Sequence, residues 1–153
     1  MASELVRFRR VLHVREVERE VTQSELAVKL LEEETIKERI DSMREKRDSA
    51  LRDFCADTNR VVSPQELWFE RQNLDVMEQS LDVGKQELEH CRAEIEETKT
   101  MLLEKHRNVQ LMEGYVDKLK VRNDKKILLE EQNNLDDITA MRYLRNMRSE
   151  AEL

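Results

Sequence analysis

An apolar residue recurs at every seventh position from Leu67 to Val116: Leu67, Leu74, Leu81, Leu88, Ile95, Leu102, Val109, Val116. At this composition such a run in a given frame arises by chance roughly once in two thousand trials. A second column, Met77, Gly84, Cys91, Thr98, Lys105, Met112 and Leu119, stands at the complementary spacing. A repeat of 3.5 residues held this long defines a helix of a left-handed coiled coil. Such a helix needs a partner, and finding it is the first structural question.

The remaining chain offers one. Residues 4 to about 60 contain neither glycine nor proline and read as a first helix, roughly 85 Å long. Its apolar residues fall three and four apart in three groups: Leu5, Phe8 and Leu12; Val14, Val17, Val21, Val28 and Leu31; Ile40, Met43, Ala50, Phe54 and Val61. Two slips of phase, near Leu12 and between Leu31 and Ile40, imply local unwinding there.

Ser63-Pro64-Gln65-Glu66 is a helix start at every position. Ser63 can accept from the N–H of Glu66, and Glu66 can reach back to the N–H of Ser63. Pro64 takes the first helical place, where its missing N–H costs nothing. Val62 and Leu67 occupy the two places of a hydrophobic staple. The loop-prone Asp57-Thr58-Asn59-Arg60 just before completes a turn over about 57–63. The second helix then runs from 64 to about 148.

A turn this short makes the helices antiparallel neighbours, whose facing residues have numbers summing to about 125. The strong repeat of the second helix ends at Leu119, opposite the start of the first. A hairpin within one chain explains that coincidence, and a parallel dimer does not. The fold class is therefore all-α: a long antiparallel two-helix coiled coil in a single domain, monomeric when free. Beyond Leu119 a looser pattern continues through Ile127, Leu128, Leu129, Leu135, Ile138, Met141, Leu144 and Met147. It describes a C-terminal helix that overhangs the hairpin and has no partner within it.

Composition excludes several functions. The net charge is −7, with 40% of residues charged. A nucleic-acid partner would require a basic face. No run approaches the length of apolar sequence that spans a bilayer, and no apolar stretch precedes a small-residue cleavage site, so a cytoplasmic location without membrane insertion is expected. With two glycines in all, no phosphate-cradling loop can form. His13, His90 and His106 have no second ligand at metal spacing. Cys55 and Cys91, some 30 Å apart on the hairpin map, are expected as free thiols. No catalytic, cofactor-binding or metal residue emerges, and an enzyme is not expected.

Two groups depart from a solvated coiled-coil surface. Phe69, Val76 and Val83 repeat at one outer heptad position beside the turn, with Trp68 adjacent. Either they form a docking face, or Trp68 and Phe69 fold over the turn and cover Phe54 and Val62. At the opposite end, Arg7, Arg9, Arg10 and Arg15 accompany the overhang. That grouping is either a binding end or an ordinary frayed terminus.

Three blocks carry a family resemblance. Phe8-Arg9-Arg10-Val11-Leu12-His13-Val14-Arg15-Glu16 resembles the opening of the bacterial type III export stalk proteins, the flagellar FliJ family and its injectisome relatives of the YscO type. Val116-Asp117-Lys118-Leu119-Lys120-Val121-Arg122 is similar to that family's Glu-Lys-Leu block. Glu131-Gln132-Asn133-Asn134-Leu135-Asp136-Asp137-Ile138 is similar to its acidic C-terminal signature, with Asp137 where Glu is more usual. The Leu135-Asp136-Asp137 block favours the flagellar branch, and the injectisome branch stays open beside it.

The resemblance implies a stalk without cofactor, peripheral to the inner-membrane export apparatus. Its open end would enter the pore of a hexameric export ATPase, with Arg7, Arg9, Arg10, Leu135, Ile138, Met141 and Leu144 as contacts. Trp68, Phe69, Val76 and Val83 would meet the cytoplasmic domain of the export gate membrane protein, and export chaperones would be further partners. The competing class is a structural coiled-coil tether, which explains the heptads equally well but explains neither the end of the strong seam at Leu119 nor the apolar stripe beside the turn.

Overall fold

A computed structural model describes residues 2–56 and 61–151, and the loop-prone Asp57–Arg60 lies outside the described residues. These residues form two α-helices, α1 (Ala2–Ala56) and α2 (Pro64–Ala151), and among them there is no strand. The sole proline stands at the first residue of α2, where it breaks no helical hydrogen bond. Ser63 caps that helix: its Oγ accepts from the N–H of Glu66 at 3.3 Å, and its carbonyl accepts from the N–H of Leu67 at 3.1 Å. Glu66 in the first turn and Arg148 in the last have the signs that suit the ends of a helix dipole.

The two helices pack antiparallel as a hairpin. Their contacts fall into two bodies, Arg19–Glu104 and the stretches up to Glu18 and from Lys105 onward. Within the first, Arg47 pairs with Glu78 at 3.1 Å and Arg92 with Glu33 at 3.1 Å, Arg39 pairs with Glu87, and Lys29 donates to Thr98 at 3.0 Å. Each pair has residue numbers that sum to about 125, the register of a chain reversing just before Pro64. Within the second, the Phe8 and Tyr115 rings meet edge-on at 4.9 Å, as the same register requires.

The α2 columns read from the sequence are the packed face. Leu81 and Val109 are wholly buried at 0% exposure, and Cys91, Ile95, Thr98, Val116 and Leu119 are buried with them. Leu67, next to the cap, is the residue of these columns that stays exposed. Gly84 is buried because its Cα faces Ile40: a Cβ there would come within 3.2 Å of Ile40 Cγ1.

The first helix differs from expectation. The two phase slips do not occur. Its buried and half-buried residues keep one frame from Phe8 and Leu12 through Thr22, Leu26, Ile36, Ile40 and Met43 to Ala50. Arg15, Arg19, Lys29, Glu33 and Arg47 fill the other places of that frame and are half-buried. Val14, Val17, Val21, Val28 and Leu31, expected in the core, are exposed. The cause is antiparallel pairing: the uninterrupted α2 columns impose their heptad on α1, and seam places lacking an apolar residue are filled by long polar side chains whose stems pack and whose heads reach out.

Two leucines separate packing from composition. Leu81→Ala should cost about 2–4 kcal/mol, whereas Leu111→Ala, at a residue 74% exposed, should stay within about 0.5 kcal/mol. Gly114 has nothing within 4 Å of an added Cβ, so Gly114→Ala should stabilise by about 0.5–1 kcal/mol through helix propensity. Urea unfolding followed by circular dichroism measures all three, and equal midpoints for the two leucine variants would contradict the seam.

Candidate interaction surfaces

Among the described residues no group of three or more histidines, cysteines or carboxylates is placed to hold a metal ion, and no helix is long and apolar enough to cross a membrane. His13 and His90 lie beside Glu16 at 3.9 Å and Glu94 at 3.3 Å on their own helices. Cys55 and Cys91 are free thiols. Burial in the seam pushes the Cys91 thiol above its ordinary pKa, and the nearby carboxylates of Glu32, Glu33 and Glu94 push the same way. Its Sγ donates weakly to the Lys29 carbonyl at 3.8 Å. A protonated, buried thiol of this kind is a packing group and not a nucleophile.

The first lies in the body that ends at the turn. Trp68 and Phe69 are 58% and 63% exposed, and their rings touch each other edge-on at 5.3 Å. Val76 and Val83 are exposed one and two heptads further along α2. These two valines border a shallow cleft with Met43 and Gly84, and the paired Arg39 and Glu87 also line it. All four residues expected in this stripe thus stand on the outside of the seam, two as an aromatic pair and two as a cleft wall.

The second surface lies in the other body. Arg7, Arg9 and Arg10 are exposed on α1, and the Arg7 guanidinium stacks over the Phe8 ring at 5.4 Å, while Phe8 itself meets Tyr115. α2 continues as helix past the start of α1, and every residue from Asp124 to Ala151 is exposed. Leu135, Ile138, Met141 and Leu144 therefore make no covered face, and Met141 is 71% exposed. Ile138, Met141, Leu144 and Met147 are spaced by three. Each step turns about 300°, or 60° backwards, around an α-helix, so these four residues spread over about half of the circumference instead of lining one narrow stripe.

Sequence reasoning placed Thr98 in the seam of α2 but missed the polar seam places of α1, Glu33 and Lys29. Glu33 is a seam residue of α1, its side chain only 16% exposed, flanked by Arg92 at 3.1 Å and by Lys37 at 3.3 Å. Thr98 accepts from Lys29 Nζ at 3.0 Å and donates to the Glu94 carbonyl at 2.8 Å. Projecting the α2 columns across the hairpin would have found both places.

Arg92, and after it Lys37, hold the Glu33 carboxyl below its ordinary pKa of 4.5. A carboxylate with a lowered folded-state pKa contributes stability above the unfolded value and loses it as pH falls through the folded value. Glu33→Gln should therefore lower the midpoint of urea unfolding at pH 7, and the difference from the native chain should shrink below the ordinary value of 4.5. A difference that persists unchanged at pH 3 would exclude this linkage.

A family model described as "Flagellar FliJ protein" matches residues 3–148. No curated protein matches, and no solved structure matches.

Proposed function

The chain belongs to the flagellar FliJ protein family, components of flagellar type III export, and from that premise we propose that it is the stalk between the export ATPase and the export gate. In this reading the exposed end of α2, together with the start of α1, enters the central pore of the hexameric ATPase. Trp68, Phe69, Val76 and Val83 dock on the cytoplasmic domain of the gate membrane protein. The protein transmits and does not hydrolyse, needs no cofactor, is monomeric when free, and acts in the cytoplasm at the inner-membrane apparatus, where it also handles export chaperones.

The observation that carries the reading is the overhang. A helix with Ile138, Met141, Leu144 and Met147 exposed on successive sides suits enclosure by a ring better than side-on docking against a single face, which uses one stripe. Its width, about 10–12 Å with side chains, fits a central pore. Arg7, Arg9 and Arg10 would steer the approach and fix orientation through salt-sensitive attraction to acidic pore residues. Leu135, Ile138, Met141 and Leu144 would supply most of the binding free energy. A simple tether has no use for apolar residues spread over about half the circumference of an unpaired helix.

Removal of residues 124–153 should abolish ATPase binding and leave the melting of the hairpin nearly unchanged, since the buried residues lie upstream. Charge reversal at Arg7, Arg9 and Arg10 should slow association and flatten its salt dependence. Phe69→Ala combined with Val76→Ala should weaken binding to the gate domain while leaving helix content and ATPase binding intact. Surface plasmon resonance against the purified ATPase and the gate domain reads all three. A truncated chain that binds and stimulates the ATPase like the full one would overturn the stalk reading.

A further inference from the structure

One apolar surface belongs to neither end. In the body formed by Arg19–Glu104, Val21, Val28 and Leu31 stand outside the seam of α1 and are 52%, 55% and 70% exposed. Seam places on this stretch are Thr22, Leu26, Lys29 and Glu33, so Leu31 takes the outermost heptad position and Val21 and Val28 the outer position beside it, where coiled coils carry charge. Ser24 and Thr35 fall on the same stripe. Their hydroxyls donate to their own helix, Ser24 to the Glu20 carbonyl and Thr35 to the Leu31 carbonyl, both at 3.0 Å. Two residues that would make the stripe polar thus have their hydroxyls engaged by the backbone.

Helix stability does not account for these residues. Valine and threonine are poorer helix formers than the alanine, glutamate or lysine that an outward position accepts. Here they give up that stability while the two valines stay more than half exposed. Exposed acids border the stripe. At about 100° per residue, Glu25 and Glu32 lie along one edge, and Glu20 and Glu34 along the other. A second copy meeting this face through the same stripe would set glutamates against glutamates, which is repulsive.

We propose that Val21, Val28 and Leu31 form a third docking face, whose occupant is an amphipathic α-helix of another protein carrying Lys or Arg on both borders of its apolar stripe. The face lays an apolar ridge into the apolar side of that helix, and the bordering glutamates meet its cations. Both helices supply anchors at three- and four-residue spacing, the geometry of helix-on-helix recognition. Apolar contact gives the affinity, and the two acidic borders select for a basic partner over an acidic one.

The test uses the full chain and two fluorescein-labelled helical peptides with the same leucine stripe, one bordered by lysines and one by glutamates. Fluorescence anisotropy should show the lysine-bordered peptide binding at least tenfold tighter. A Val21→Gln, Val28→Gln, Leu31→Gln chain keeps good helix formers at all three places, and circular dichroism should match the native chain. It should lose at least tenfold in affinity for the lysine-bordered peptide. Glu25→Gln with Glu32→Gln should weaken binding and reduce its salt dependence, while Val76→Gln with Val83→Gln should leave it unchanged. Equal binding of the two peptides, or native affinity in the triple variant, would overturn the proposal. So would sedimentation in which the native chain dimerises and the triple variant does not, since the occupant would then be a second copy.

Discussion

The apolar columns of α2 against α1 are the interaction on which the rest depends. A helix 88 residues long has no interior of its own, and its stability as a single helix is limited by the weak net gain of each added residue. Burial of Leu81, Ile95, Val109, Val116 and Leu119 supplies what propensity alone does not. The same burial dictates which face of α1 is inside. The columns of α2 are nearly unbroken, so α1 has no freedom to choose its own phase and accepts arginines, a lysine and a glutamate in its seam.

Those polar seam residues give the hairpin its register. A purely apolar seam tolerates sliding by a heptad, because one leucine packs much like the next. Glu33 with Arg92, Arg47 with Glu78, Arg39 with Glu87 and Lys29 with Thr98 are matched in one alignment only, and a slip would leave half-buried charges without their partners. Gly84 against Ile40 adds a steric mark to the same alignment. Exposed ion pairs add little stability, so their role here is selection between registers and not strength.

With the seam so placed, the apolar residues that remain outside acquire meaning. Phe69, Val76 and Val83 on α2, Val21, Val28 and Leu31 on α1, and the overhang beyond Asn123 all stay exposed. A family of export components has use for such surfaces, because components of an apparatus act on one another through contact. The overhang differs from the two stripes: its apolar residues spread over about half the circumference of the helix, whereas each stripe is narrower.

The sequence by itself determined the two helices, the Ser63-Pro64 start of α2, the heptad columns from Leu67 to Leu119, the antiparallel pairing and the family. Each rests on local chemistry or on a period that every residue reports independently. It also placed the Trp68–Val83 stripe and the overhang outside the seam, because both depart from that period. Only the tertiary structure decided which face of α1 is buried. Val14, Val17, Val21, Val28 and Leu31 carry a heptad of their own, and on hydrophobicity alone they are better core residues than Arg15, Lys29 or Glu33. They lose because burial is settled by the pair of helices together: the frame that matches the columns of α2 and aligns the charged pairs wins over the frame with more valines. A one-helix reading contains no term for that competition.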